Sequence, residues 1–459
     1  MRNHISLLSV IAAAALCGSL PAMAQNDHRC VRCICPEHHL PVWIEADSAS
    51  AIHSRLLSDF SLTFDEGADK IIARHPGLTR DDVRRFADKK YVEVKNIDGV
   101  DRMHRKSPGN VELLNPDYNG GWKYRGASAS PARISYVDSV IRHAKGLLPD
   151  GGAHRVRYSY TISVPTVPAL KGDTLRVWMI YPLESARQSD IRLISASHPY
   201  VISSPERSDH RTIYFSAPAA DSVTTFTYTA EFTTRGQYFH PDSIRARIRP
   251  YDTDSELYKK YTAFDNPHII PARELALSIV GDETNPFECS ELVYDYIISR
   301  YPWAGAREYS TIECIPQYVI DERHGDCGQV SLLYISLMRS LGIPARWESG
   351  WMLHPGELNL HDWAEVYFEG VGWVPVDTSF GRYTSSPDPE VQQFYSHGMD
   401  SHRLAANLTV SGKFDPEKRF VRSETVDAQL GEVECTKGNL FYPGWKKRFN
   451  LISVTPVTE

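Results

Sequence analysis

The chain has 459 residues, enough for two to four domains and beyond the size at which a single hydrophobic core keeps growing. With 42% hydrophobic and 23% charged residues it has the composition of a globular protein, which excludes a disordered or fibrous class. A formal charge of −7 and the lack of a basic tract interleaved with aromatics exclude nucleic acid as an expected partner.

Arg2 and His4 precede an apolar run, Ile5 to Leu20, followed by Ala22-Met23-Ala24. A charged start, an apolar stretch and a small-x-small site in that order predict a signal peptide over 1–24, cleaved after Ala24. The run is shorter than the roughly 20 residues that span a bilayer, so no membrane span is expected in the mature chain. Leu16 is bulkier than the residue a lipidation site wants before Cys17. The expected location is periplasmic or extracellular, where disulfides persist. Cys30, Cys33, Cys35, Cys289, Cys314 and Cys435 permit up to three, with buried thiols as the alternative. A Cys289–Cys314 bridge is sterically easy, and one of the three early cysteines would need a distant partner such as Cys435. Cys30-x-x-Cys33-x-Cys35-x-x-His38-His39 has zinc-ligand chemistry. Its exported, N-terminal setting favours disulfides or a tail, so no metal or cofactor is assigned.

Residues 25–150 read as a mixed, partly helical region. Helices are expected around Ile52–Phe60, Thr79–Lys89 and Ile134–Lys145, the second opened by Thr79 with Asp82 three residues on. Lys106 to Ser130, rich in Gly, Pro, Asn and Ser, reads as loop. From about 154 the hydrophobic period becomes two: Val156, Tyr158, Tyr160, Ile162 and Val164 alternate with polar residues, as do Leu175–Tyr181 and Phe226–Phe232. That pattern predicts an antiparallel β-sandwich over 154–248, with a linker from Pro250 to Pro271.

Asn285-Pro286-Phe287-Glu288 is a strong helix start, and this helix should run to about Arg300. A second helix is expected from Asp326 to Gly342, with Val330, Leu333, Leu337 and Leu341 on its buried face and Pro344 as its stop. Strands follow at Ala345–Met352, His361–Phe368 and Trp373–Asp377. Helices on an antiparallel sheet make an α+β core, assigned to 270–385, with 386–459 as an extension packed on it. Trp347, Trp351, Trp363 and Trp373 are expected to be mainly packing residues.

The sharpest feature is Gly325-Asp326-Cys327-Gly328-Gln329. Asp326 and Gln329 can cap the first turn reciprocally and put Cys327 at a helix N-terminus, where the free N–H groups and dipole favour a thiolate. The same N–H groups suit an oxyanion. His361 on one strand and Asp377 on the next stand in plausible reach of each other, a base and its orienting acid. Asp362 and Glu365 flank His361 but alternate across the strand, so both cannot face it.

Gly325–Gly328, Leu341-Gly342-Ile343-Pro344-Ala345-Arg346, His361-Asp362-Trp363-Ala364-Glu365-Val366-Tyr367 and Gly372-Trp373-Val374-Pro375-Val376-Asp377 resemble the transglutaminase-like core. The resemblance implies a papain-like fold with a triad in which Cys327 is nucleophile, His361 base and Asp377 orienting acid. Val177–Pro182 with Gln188 and Ile191 looks like the β-domain that precedes this core in bacterial members. Arg422–Asp427 and Gly431–Glu434 look like their tail. A side-chain oxyanion donor is frequent in this fold, with Gln317 and Tyr309 as candidates here. No EF-hand loop or tandem C-terminal β-barrels are seen. The expected activity is acyl transfer from the amide carbonyl of a protein or peptide, as an exported cysteine amidase or peptidase. The alternatives are a protein-cross-linking transglutaminase with the same triad and a non-catalytic scaffold that retains the core.

Overall fold

The computed structural model describes residues 31–34, 41–121, 125–127, 129–148, 152–204 and 208–457. The expected signal segment and Cys17, Cys30, Cys35, His38 and His39 lie outside them.

Two antiparallel sheets form a sandwich. One has four strands in the order Lys446–Pro456, His154–Pro165, Val223–Thr234 and Gln188–Ala196. Period-two alternation sends Val156, Tyr158, Tyr160, Ile162 and Val164 inward, against Phe226, Tyr228 and Phe232 of the neighbouring strand. The facing seven-stranded sheet runs Val31–Ile34, Pro41–Glu45, Asn439–Leu440, Glu432–Glu434, Thr174–Ile180, Thr212–Pro218 and Tyr200–Ile202. Strands from both early and late parts of the chain therefore complete the sandwich. The 386–459 extension accordingly divides: Val391, Phe394, Tyr395 and Val426 pack with the helices of the second unit, but its last part does not. Its apolar residues Val433, Leu440 and Trp445 are buried among the sandwich side chains instead.

The second unit is a four-stranded antiparallel sheet, Gly372–Val376, Asn359–Phe368, Ala345–Met352 and Arg403–Asn407, with helices Pro286–Arg300 and Cys327–Ser340 packed on it. Asn285 caps the first helix by accepting from Phe287 and Glu288 N–H groups. The second helix is buried almost all round, with Val330, Leu333 and Leu337 among the large apolar cluster of this unit. Trp351 and Leu404 of the sheet join the sandwich core, so the two units share packing. The segment expected as linker contains a helix, Glu256–Thr262.

The early region has its own small core, Phe64, Ala68, Ile71, Val83, Val92, Met103 and Val111. Thr79 and Asp82 form the expected capping box for the helix Arg80–Asp88. Thr63 and Glu66 form another for Phe64–Arg74, a helix absent from the expectation. The expected loop from Lys106 to Ser130 also holds a helix, Ser107–Leu114, whose Val111 and Leu114 are buried despite the Pro-Gly pair near its start.

No disulfide joins Cys289 to Cys314. Cys289 is buried with its thiol donating to the Glu283 carbonyl at 3.5 Å, whereas Cys314 stands at the start of the helix Ile315–Glu322. Cys435 is likewise a free, buried thiol, so it makes no link to the early cysteines. Burial pushes the Cys289 thiol up to about 11, the behaviour of an inert packing residue.

Candidate active site

Asp326 N-caps the helix Cys327–Ser340, accepting from Gln329 N–H at 3.0 Å, while Gln329 Oε1 accepts from Asp326 N–H at 3.1 Å. This box fixes Cys327 as the first helical residue. It opens onto a cavity of about 930 Å³ that His361, Asp362, Tyr309, Glu308, Glu424 and Asp427 also line.

His361 lies on the strand Asn359–Phe368, paired opposite Gly350. The next strand pairs Val376 with Ala364, so Asp377, one residue further, stands diagonal to His361 across the ladder. His361 Nε2 lies 2.7 Å from Asp377 Oδ2. That bond leaves Nδ1 as the nitrogen with a free role. Asp377 Oδ1 accepts from Ser379 N–H at 3.0 Å, and Arg403 Nη1 donates to Oδ2 at 3.0 Å. Burial would raise the Asp377 carboxyl, but His361, Arg403 and Ser379 N–H outweigh it and hold it below its ordinary range. For His361, burial outweighs the attraction of Asp377 and lowers the imidazole below 6.5, so it rests neutral at neutral pH.

The thiol corrects one expectation. Cys327 Sγ donates to Asp362 Oδ2 at 3.6 Å. Burial and the facing Asp362 and Asp326 carboxyls push the thiol well above its ordinary value, against the Asp362 backbone N–H, which pulls down. A helix dipole worth about 1 kcal/mol cannot offset two adjacent carboxyl groups in a desolvated setting. The resting pair is therefore a thiol and a neutral imidazole.

Asp362 belongs to a carboxyl cluster that the sequence reading missed. Asp362, Asp427 and Glu424 are buried side by side, and burial with mutual repulsion raises all three well above the usual carboxylate range. Gln429 holds the group in register: its Nε2 donates to the His361 carbonyl at 2.9 Å and also to Asp362 Oδ1. Glu308 joins them across the cavity, pushed up to about 8 by burial and by Glu424 and Asp59. Glu365, the other acidic neighbour of His361, is turned away and pairs with Arg346 at 2.6 Å.

Of the two oxyanion candidates, Gln317 is spent on Asp321 Oδ1 at 2.9 Å and does not line the cavity. Tyr309 does line it, and its hydroxyl donates to Asp326 Oδ1 at 2.5 Å. Trp347, Trp351 and Trp363 are buried packing residues; the tryptophan on the cavity rim is Trp303, 45% exposed. The early region forms one wall. Arg125 donates from Nε to the Tyr301 carbonyl at 2.8 Å and from Nη2 to the Gly325 carbonyl at 2.5 Å, bracing the turn before Cys327. Asn110 holds Gly305 through both its amide atoms, at 2.8 and 3.2 Å, and Asp59 accepts from Glu308 N–H at 2.7 Å. No local sequence signal marks these residues, because their partners lie 176 to 249 positions away.

Residues 273–378 match the model of the transglutaminase-like superfamily, and that stretch contains Cys327, His361 and Asp377. This segment belongs to the transglutaminase-like superfamily. The protein YebA of Bacillus subtilis, itself uncharacterized, is 30% identical over 160 residues, 28% of this chain and 21% of that protein. An uncharacterized protein of Haemophilus influenzae is 28% identical over 159 residues, 28% of this chain and 41% of its own. The match thus spans less than half the length of either relative. A solved structure from Cytophaga hutchinsonii, described as a candidate cysteine protease, is similar over 66% of this chain and 93% of its own, at 16% identity and a TM-score of 0.44. Around the transglutaminase-like core, the sandwich and the early region supply the other walls of the cavity. No described helix is long and apolar enough to cross a membrane.

Proposed function

We propose that this chain is an exported cysteine amidase or peptidase that works by acyl transfer, with Cys327 as nucleophile, His361 as base and Asp377 as orienting acid. The observation that carries the reading is the 2.7 Å His361–Asp377 contact beside a cavity that a helix-start cysteine also lines. His361 takes the thiol proton through Nδ1 as sulfur attacks a peptide or carboxamide carbonyl, then delivers it to the leaving amine. Asp377 fixes the tautomer and stabilises the imidazolium form. Water resolves the thioester, because the cavity holds several polar side chains and opens past Trp303 to solvent. The signal-like start supports export, and the core's family supports a protein or peptide substrate.

The test is incubation of the mature chain with a mixed peptide pool, with and without a primary amine, read by mass spectrometry. Cleavage or deamidation that Cys327→Ala eliminates is expected. Stable incorporation of the amine would replace hydrolysis with the cross-linking reaction, and no turnover by wild type would sink the enzymatic reading.

A further inference from the structure

On the side of Arg403 remote from the triad lies a buried cluster that the proposed chemistry does not use. His354 follows the strand Ala345–Met352, and Asp400 and His402 lie in the turn before Arg403–Asn407. The three are 7%, 0% and 8% exposed, and one donor atom from each falls within 4.8 Å of the others. We propose that His354, Asp400 and His402 form a binding site for a divalent transition-metal ion of the zinc class.

The donors are arranged for a ligand rather than for one another. His354 Nε2 lies 3.2 Å from Asp400 Oδ1, within ion-pair distance, while the buried His402 Nδ1 has no partner among the described residues. Buried imidazole nitrogens without partners are uncommon and call for an explanation. Metal bonds of about 2.0–2.2 Å in a tetrahedron set donors about 3.3 Å apart. His354 and Asp400 already show that spacing, so only His402 must close in. Asp400 is divided in the manner of a metal carboxylate. Its Oδ2 is held from outside by Arg403 Nη2 at 2.8 Å, Arg403 Nε at 3.0 Å and Tyr395 Oη at 2.9 Å. Its Oδ1 accepts from the His402 backbone N–H at 2.8 Å and faces the imidazoles. Such outer partners orient ligating carboxylates.

Arg403 does not exclude a cation. It is shared between Asp400 and Asp377, so with neutral histidines the surroundings carry two carboxylates against one guanidinium. The other polar neighbours are uncharged: Tyr136 Oη is bonded to Ser401, and His154 Nδ1 lies 2.7 Å from Ser401 Oγ. Two imidazoles and one carboxylate suit zinc and leave one position for water. A bound ion would pin the 353–358 loop, whose Glu357 lines the cavity, to the turn that presents Arg403 to Asp377.

The test uses the full chain carrying Cys327→Ala, so that the active-site sulfur cannot capture metal and enzymatic turnover is not the readout. The chelator-treated protein is titrated with Zn2+, and with Co2+ for its visible spectrum. Expected are one tight equivalent, a higher melting temperature when loaded, and a cobalt spectrum without a thiolate charge-transfer band. His354→Gln and His402→Gln each remove a direct ligand and should weaken that equivalent by more than the roughly 10- to 100-fold that loss of an outer-shell partner costs. Failure of the parent to bind, equal binding in the His354→Gln/His402→Gln double variant, or a thiolate band placing the ion on the early cysteines would each overturn the site. The cobalt spectrum of the parent, thiolate-free or not, decides the matter even if a variant folds poorly.

Discussion

Arg403 donates to the same Asp377 oxygen that receives His361, at 3.0 Å against 2.7 Å. One buried cation thus sets the charge state of the group that orients the proposed base, and through its other nitrogens it also neutralises Asp400. Neither carboxyl is exposed, so neither can turn to water for compensation.

Arg403→Met should therefore cost about 3–5 kcal/mol at pH 7, the usual penalty for stranding a buried charge. The Asp377 carboxyl lies below its ordinary value in the fold, so its contribution is present above the unfolded value of 3.8 and is lost as pH falls through the folded one. The gap between wild type and variant should narrow below pH 4. Urea unfolding at pH 7 and pH 3.5 checks this; equal midpoints at pH 7 would show that the pair contributes nothing.

Cys327→Ala should abolish turnover of any substrate found. Asp377→Asn should leave a measurable rate, lower by about 10²- to 10⁴-fold, because orientation is only part of the work. Single-turnover assays on the two variants separate these outcomes. Equal activity of wild type and Cys327→Ala would leave only a scaffold.

Alkylation by iodoacetamide should follow the raised thiol. Because Cys327 lies above its ordinary value of 9.0, the thiolate fraction, and with it the labelling rate, should climb about tenfold per pH unit from 6 to 9. His361, lowered from 6.5 chiefly by burial, is neutral at pH 7 and above and adds no acid step there. A flat rate between pH 5 and 7, tracked by mass spectrometry at Cys327, would instead reveal a thiolate–imidazolium pair.

Gly328→Ala should disturb the site without touching its chemistry. A Cβ there would stand 2.5 Å from Tyr309 Oη, 2.6 Å from Asp362 Oδ2 and 2.9 Å from Trp347 Cη2. Forcing those groups apart should cost about 1–3 kcal/mol and reduce turnover, since Asp362 receives the Cys327 thiol. Thermal unfolding together with the alkylation rate reads both effects, and an unchanged pair of values would refute the close packing.

Local signals made the helix starts legible. Asp326 with Gln329, Asn285 with Pro286, and Thr79 with Asp82 each announce a cap within four residues, and the period-two runs place Val156–Val164 inside a sheet. The positions of Cys327, His361 and Asp377 on their elements follow from such patterns and from the family resemblance. What surrounds them does not. Asp427, Glu424 and Gln429 reach Asp362 from more than sixty residues downstream, and Arg125 reaches Gly325 from 200 residues upstream. Long-range polar pairing leaves no periodic trace. The thiol is raised for the same reason: the capping Asp326 stands beside it in its own helix, but Asp362, the larger influence, arrives from a strand 35 residues on.

Pro41–Glu45 lies in the sheet beside Asn439–Leu440, and Arg55 donates to the carbonyls of Arg422 and Ser423. A ribosome delivering this chain releases Cys327 and His361 while Glu424, Asp427 and Gln429 are still to come. The early strand has no neighbour at 439 until then, and the last strand of the smaller sheet arrives later still, pairing with His154–Pro165. Cys327 is therefore synthesised before the cleft that encloses it can exist, and the closing of the sandwich is the event that completes the chamber.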